Sequence, residues 1–397
     1  MAQPPGFIDQ DHPTHICHLK KSLYGLKQAP RAWYEKLQSA LFSMGFQASH
    51  SDHSLFVLHK PTLVLVLVYV DDIIVTGPSS SVCNTIISQL SSKFPIKDLG
   101  DLHYFLGLEV QKSTSGAFIH QSKYILDLLK RTKMDGAKPC ATPLSSVKLD
   151  HTGSLLSNPE DYRSIVGALQ YLTWTRPDLS FAVNLVCQFM HSPREPHFQA
   201  VKRILRYLKG TLGFGLWFPK TTSPLLLNAY SDADWAGCSW DRRSTGGFCI
   251  FLGPCLVSWS AKKQHTVSRS STEAEYRSLA HTATEITWIC QLFSDIGFKL
   301  SSLPQIWCDN VSAIALASNP VFHARTKHVE IDYHYIRELV LAKLLTVKFV
   351  CSADQLVDIH TKSLPRPRFL HLRSKLSLQP SPFSLRGCEE QVTIVKH

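Results

Sequence analysis

Residues Leu63–Gly77, LVLVLVYVDDIIVTG, set two adjacent aspartates between two runs of valine, leucine and isoleucine. Two such runs around a short polar step read as a β-hairpin, with strands Leu63–Val70 and Ile73–Thr76 and with Gly77-Pro78 ending it. Asp71 and Asp72 then lie at the tip. Burying an isolated carboxylate costs several kcal/mol unless it is paired or bound to a cation. The pair therefore either sits in an exposed turn or holds a metal ion.

Working outward, residues 20–45 read as a helix, with Trp33, Leu37, Leu41 and Phe42 at helical spacing and Gly45 as its stop. After the hairpin, Val82–Phe94 reads as a second helix. LHYFLGLEVQKSTSGAFIHQ reads as two strands about a Ser/Thr/Gly turn, and SKYILDLLKRTKM as a short amphipathic helix with a basic end. Residues 136–160, rich in Pro, Ser and Gly, read as a linker. Beyond them Tyr162, Ile165, Val166, Leu169 and Leu172 form one helical stripe that Pro177 breaks. The helix HFQAVKRILRYLKG places Val201, Ile204, Leu205 and Leu208 on its apolar face. Lys202, Arg203, Arg206 and Lys209 remain on the others, as a solvated face or a phosphate contact.

From residue 225 the pattern changes. Strands are expected at Leu225–Ser231, Gly247–Leu252, Leu256–Ser260, Gln305–Cys308 and Thr346–Cys351. Helices are expected at Ser271–Phe293, at His328–Leu344 and from Ala353. Three strands followed by alternating helix and strand indicate a mixed sheet with helices packed on it. After about Leu378 the chain is Pro/Ser-rich without periodicity and reads as disordered.

The chain has 397 residues, 44% hydrophobic and 18% charged, which is globular composition for two or three domains. A formal net charge of +11 favours a polyanionic partner, nucleic acid first. Eleven scattered cysteines without a CxxC pair read as reduced thiols. His12, His15, Cys17 and His18 lack a second ligand pair at zinc-finger spacing, and His323 and His328 lack a cysteine pair. The longest apolar run is far shorter than the ~20 residues that span a bilayer. MAQPPGFIDQ has neither a basic n-region nor an apolar h-region, so no membrane association or secretion is expected, and an intracellular site is.

Four acidic residues of the second half share a pattern. Asp232 ends the strand of LLLNAYSDADW, Glu275 lies early in the helix of STEAEYRSLA, Asp309 ends the strand of PQIWCDN, and Asp358 sits in QLVDIHTK. Carboxylates at the ends of neighbouring strands and on adjoining helices can converge, and their repulsion is relieved by divalent cations, of which Mg²⁺ prefers oxygen ligands. Other readings stand beside this one. Asp309 with Asn310 caps a helix. Glu275 closes a capping box with Thr272, in competition with Ser270 and Glu273. Asp234 replaces Asp232, or Asp358 is a solvated helix residue.

Longer motifs decide between these readings. SLYGLKQAPRAWYEKL, YVDDIIVTG, DLGDLHYFLGLEV, RSIVGALQYLTWTRPDLSFAVN and VKRILRYLKGT are followed by YSDADWAGC, DRRSTGGFCIFLG and VSWSAKKQHTVSRSSTEAEYRSLA. CDNVSAIALASNP, RTKHVEIDYHYIRE and DIHTK complete the series. In this order, over roughly residues 4–375, the chain resembles the C-terminal part of the Pol polyprotein of copia-type LTR retrotransposons, reverse transcriptase followed by RNase H.

The resemblance implies an α+β and α/β architecture. A partial reverse-transcriptase palm, an antiparallel sheet with helices, is expected over 1–135 and a linker over 136–160. A helical thumb or connection follows over 161–220, an RNase H-like five-stranded mixed sheet over 225–376, and a disordered tail over 377–397. It also implies that Asp71 binds catalytic Mg²⁺, that Asp72 supports it and that Tyr69 lies near the primer end. GLKQAPRAW resembles the block that supports template and nucleotide, and YFLGLEV the primer-grip hairpin.

For the RNase H part, the resemblance implies that Asp232, Glu275, Asp309 and Asp358 hold two Mg²⁺ ions, with Mn²⁺ as a possible substitute. The expected reaction cuts RNA in an RNA–DNA hybrid and leaves a 3′-hydroxyl and a 5′-phosphate. Lys262, Lys263 and Arg269 are expected against backbone phosphates, as are Lys202 and Arg206. Lys327 and His328 are weaker candidates for substrate contact. The family's polymerase needs a third carboxylate from an upstream strand. Asp9 and Asp11, in a polar stretch, do not supply it, so this chain alone is expected not to polymerise DNA. The alternatives are a non-catalytic nucleic-acid binder or an inactive, degenerate element.

Overall fold

The computed structural model describes residues 1–20, 23, 25–145, 148–318 and 330–383, leaving aside the side chains of Glu330 and Ile331. The chain divides into two compact units, one of residues 1–100 with 290–299, the other of residues 101–289 with 300–397.

The first unit is a four-stranded antiparallel sheet with two helices. Helix α1 (Ala29–Ser43) is followed by strands β1 (Gln47–Ala48), β2 (Leu55–Leu58), β3 (Val64–Tyr69) and β4 (Asp72–Thr76), then by helix α2 (Ser80–Lys93). The sheet order is β1-β2-β3-β4. Along β3, Val64, Val66 and Val68 are buried and Leu65 and Leu67 half-buried, the alternation a pleated strand imposes. Leu37 and Leu41 of α1 and Ile86 and Leu90 of α2 close the same core. Each such side chain contributes about 1.5–3 kcal/mol by leaving water. Gly45 follows α1 at φ +91°, a left-handed conformation that lets the chain turn back into β1.

The second unit carries two five-stranded sheets. Its first elements are β5 (Tyr104–Phe105), β6 (Leu108–Ser113), β7 (Gly116–His120) and α3 (Ser122–Arg131). Helices α4 (Pro159–Leu172), α5 (Ser180–Cys187) and α6 (Glu195–Lys209) lead to β8 (Phe214–Pro219). Strands β9 (Leu227–Ala233), β10 (Thr245–Leu252) and β11 (Cys255–Lys263) precede the long α7 (Ser271–Ile296). Then come β12 (Gln305–Cys308), α8 (Val311–Ser318), α9 (Glu330–Leu341), β13 (Thr346–Phe349), α10 (Asp358–Thr361), α11 (Arg366–Arg373) and β14 (Leu378–Pro380).

One sheet runs β14-β8-β7-β6-β5, antiparallel throughout. The other runs β11-β10-β9-β12-β13. Its first three strands are antiparallel, and β12 lies parallel to both β9 and β13, the mixed sheet expected from the sequence. The helical stripe Tyr162, Val166, Leu169 and Leu172 is buried, in one core with Leu205, Leu208 and Val357. Within this unit Arg176 and Asp178 form a fully buried ion pair at 2.8 Å, extended by the Tyr207 hydroxyl to Asp178 at 2.5 Å.

The structure departs from the sequence boundaries in four places. Residues 101–135 belong to the second unit, because β7 pairs with β8 (Phe118 opposite Trp217) and α3 packs in the core of α4–α6. That pairing places a strand inside the expected helical region. Part of the 136–160 segment is fastened rather than loose. Arg206 Nε donates to the Lys138 carbonyl at 2.7 Å, Arg203 Nη2 donates to Thr142 at 2.8 Å, and Leu149 is buried. Finally, Leu378–Pro380 is a strand on the edge of β8 with Leu378 buried, so the expected tail starts inside the fold. Residues 384–397 lie outside the described residues. Among the described residues, no helix is long and apolar enough to cross a membrane.

Candidate functional site

The central strand β9 carries Asp232 next to its C-terminal end, and β12, parallel beside it, hands over to Asp309 one residue beyond its own end. Parallel neighbours finish on the same edge of a sheet, and this brings the two aspartates together there. Glu275 comes from the second turn of α7. That helix is clamped on the sheet by Ser278, whose hydroxyl bridges the carbonyls of Asp232 at 2.9 Å and Gly247 at 3.1 Å. Asp358 opens α10. A Cβ on Gly247 would lie 2.8 Å from the Ser260 carbonyl and 3.0 Å from His360 Cβ, so glycine in STGGF is what lets α10 settle on the sheet.

The local alternatives for these acids resolve into neighbours. Asn310, not Asp309, caps α8 by accepting the Ala313 N–H at 2.9 Å. Asp309 Oδ2 instead accepts the Ser352 hydroxyl at 2.8 Å. Ser270 and Glu273, not Thr272 and Glu275, serve the start of α7: the Glu273 N–H donates to Ser270 Oγ at 3.2 Å, and Glu273 pairs with Arg277 at 2.8 Å. Asp234 accepts the Thr245 N–H in the turn past β9, and burial lifts its carboxyl to about 6. Asp358 is paired rather than solvated, with Lys362 Nζ at 2.7 Å and Arg368 Nη2 at 3.1 Å.

Burial and mutual repulsion dominate the electrostatics. Asp232 is 1% exposed, and desolvation raises its carboxyl above the usual range. Asp358 and Asp309 push the same way, against Lys362 and the Thr361 hydroxyl. Glu275, 7% exposed, is raised to about 10 by desolvation and by the charges of Asp232 and Asp309. Its Oε2 has no hydrogen-bond partner among the described residues. One carboxylate oxygen each of Glu275 and Asp309 and the Cys308 sulfur lie within 4.8 Å of one another. Lys362 Nζ sits 3.3 Å from Asp232 Oδ2, so one ammonium joins Asp232 to Asp358, and those two acids hold its proton on more firmly than usual. A buried oxygen without a donor, among converging carboxylates, fits a hard divalent cation such as Mg²⁺.

Three members of this site were not singled out in the sequence, one of which carries a readable signal. Lys362 was legible in DIHTK as a lysine four residues after Asp358, the helical ion-pair spacing. Thr361 and Ser352 carry no such signal, since their roles depend on contacts to Asp232 and Asp309 more than forty positions away in sequence.

The expected aspartate pair of the first unit is arranged differently. Tyr69 pairs with Asp72 across the hairpin, leaving Val70 and Asp71 as its two-residue turn. Asp71 and Asp72 are exposed, the first of the two readings of that stretch. Val70 adopts φ +54°, rare for a β-branched residue, and the Trp33 indole donates to its carbonyl at 2.8 Å. The metal-capable cluster found among the described residues is Glu275, Cys308 and Asp309, so it includes neither Asp71 and Asp72 nor Asp232 and Asp358.

The basic residues also separate. Lys262 and Arg269 are exposed. Lys263 is drawn inward to Asp241 at 2.8 Å and Gln188 at 3.0 Å, over the Trp240 ring. Lys202 lies over the Phe198 ring, and Arg206 is bound to the Lys138 carbonyl, so the helix face read as free is partly covered. His323, Lys327 and His328 lie outside the described residues.

Residues 1–146 match the family described as reverse transcriptase (RNA-dependent DNA polymerase). The retrovirus-related Pol polyprotein from transposon RE1 of Arabidopsis thaliana is 52% identical over 385 residues, 96% of this chain and 26% of that protein. A putative transposon Ty5-1 protein of Saccharomyces cerevisiae is 34% identical over 292 residues, 72% of this chain and 94% of that one. The chain thus spans about a quarter of the length of the RE1 polyprotein. Among solved structures, RNase H1 of Halobacterium salinarum NRC-1 aligns at 15% identity and TM-score 0.25, covering 32% of this chain and 88% of that one.

Proposed function

Since this chain belongs to the copia-type, retrovirus-related Pol family of reverse transcriptases, we propose that its second unit is an RNase H that cuts the RNA strand of RNA–DNA hybrids with Mg²⁺, or Mn²⁺ in its place. The observation that supports this most is the meeting of Asp232, Glu275 and Asp309 at one sheet edge, with a buried oxygen of Glu275 left without a donor. When bound there, a pair of Mg²⁺ ions supplies activation of water and stabilisation of the leaving oxygen.

The protein's own residues set the conditions. Asp232 and Glu275, on a central strand and a clamped helix, provide fixed oxygens out of bulk water. Asp309 is oriented by Ser352. Asp358 would help to hold an ion only on giving up one of its contacts to Lys362 and Arg368. Lys262 and Arg269, exposed on β11 and before α7, meet backbone phosphates, which confers affinity without sequence choice. Asp71 and Asp72 form the palm turn of the family's polymerase.

A hybrid-binding unit without cleavage is a second reading. It is favoured by Lys362, whose ammonium already neutralises Asp232 and Asp358. Incubation of the purified protein with a labelled RNA–DNA hybrid and Mg²⁺ separates the two. Cleavage that disappears in Asp309→Asn supports the nuclease, whereas a hybrid bound but intact with the wild type supports the second reading.

A further inference from the structure

Cys308 ends β12, fully buried, one residue before Asp309. Its sulfur and the carboxylate oxygens of Glu275 and Asp309 form the one group of this kind among the described residues. The other fully buried cysteine of the sheet, Cys249 on β10, lies in the apolar core and behaves as a small hydrophobe. Cys308 faces Glu275, Asp309 and Asp232, and its sulfur accepts the Asn310 N–H at 3.4 Å. Glu275 is 7% exposed and its Oε2 is unpartnered among the described residues, so the cluster holds an oxygen that lacks a partner of positive character.

Mg²⁺ has little use for sulfur, whereas thiolate beside carboxylate selects softer ions. We propose that Glu275, Cys308 and Asp309 form a site for a thiophilic divalent cation of the zinc class, with water in the fourth position, and that filling it blocks magnesium-dependent cleavage. The blocking half rests on the function proposed above, and the site itself does not. As the sulfur–metal bond forms, the thiol proton leaves to solvent, with no change of oxidation state. Bond lengths of about 2.3 Å to sulfur and about 2.0–2.2 Å to oxygen require the three ligand atoms, now within 4.8 Å of one another, to draw closer.

Cadmium is the probe, because its bond to thiolate absorbs in the ultraviolet. The full chain is titrated with Cd²⁺ as wild type, Cys308→Ser, Cys308→Ala and Glu275→Gln. The expected result is one tight cadmium–thiolate equivalent in the wild type that both cysteine variants lack and that Glu275→Gln weakens by about tenfold or more. Zn²⁺ should also raise the melting temperature of the wild type and not that of Cys308→Ala, a comparison of each protein with itself that holds even where a variant is less stable. Identical titrations of the wild type and both cysteine variants overturn the site. In the second arm, the Zn²⁺ concentration that halves hybrid cleavage should rise about tenfold or more in Cys308→Ser. An unchanged value overturns the blocking half. Absence of cleavage in the wild type overturns the proposed nuclease and the blocking half together, while the cadmium titration still decides the site.

Discussion

The two units treat acidic side chains in opposite ways. In the first, Asp71 and Asp72 stand in water at a hairpin tip, and the unusual feature is the backbone: Val70 at φ +54°, held by Trp33. In the second, the backbone around Asp232 is a regular central strand, and the unusual feature is charge, with Asp232 and Glu275 almost wholly buried. Exposed acids need no partner. Buried ones at one sheet edge lift each other's proton affinity and gather the nearest cation, here Lys362. The contrast is between acids that a tight turn leaves in water and acids that a sheet and its helices bring together out of water.

The largest expected effect falls on the buried set. Asp232→Asn or Asp309→Asn should lower hybrid cleavage by at least about 100-fold, beyond the 10–100-fold typical of losing an outer partner of a metal ligand. Comparable rates in variant and wild type would break the comparison.

The next effect is on stability against pH, in protein stripped of divalent ions with a chelator. Glu275 has an ordinary value of 4.5 and about 10 in the fold, so between these pH values the folded state binds a proton that the unfolded chain has lost. Stability then falls as pH rises through that window, by at most about 1.4 kcal/mol per pH unit from this group. Glu275→Gln should flatten the dependence, as thermal melting across the window would record. A melting temperature that climbs with pH equally in both proteins would contradict the assignment.

Gly247→Ala sharpens the geometry. Its Cβ would press on the Ser260 carbonyl and His360, pushing α10 and Asp358 outward, at a cost of about 1–3 kcal/mol. Denaturant unfolding should show that loss, and cleavage should fall with it.

The smallest effect belongs to the exposed turn. Val70→Gly should stabilise the first unit by about 1 kcal/mol, since glycine takes positive φ freely, less whatever it loses in unfolded-chain entropy. Hybrid cleavage should not change. A large loss of cleavage in Val70→Gly would mean that the two regions are not the separate cases described above.

Much of this arrangement was legible in the sequence because its determinants are local. The apolar run before Asp71-Asp72 marked β3, helical spacing marked α4 and α6, and strand-end placement singled out Asp232 and Asp309. What was not legible depends on pairing across long separations. β8 has no alternating pattern and is a strand because β7, some hundred positions earlier, lies beside it. β14 is a strand because Leu378 pairs with Leu216. The basic face of α6 looks free until the 138–142 segment folds over Arg203 and Arg206. Lys263 reads as a surface cation until Asp241 is placed 2.8 Å away.

The most direct test of the central claim, that Asp232 and Glu275 are gathered to hold a cation, is calorimetric titration of Mg²⁺ into the ion-free protein. The wild type should bind saturably, and the double variant Asp232→Asn, Glu275→Gln should lose that heat while still melting cooperatively. Equal binding curves for the two proteins, or no binding by the wild type at millimolar Mg²⁺, would contradict the claim.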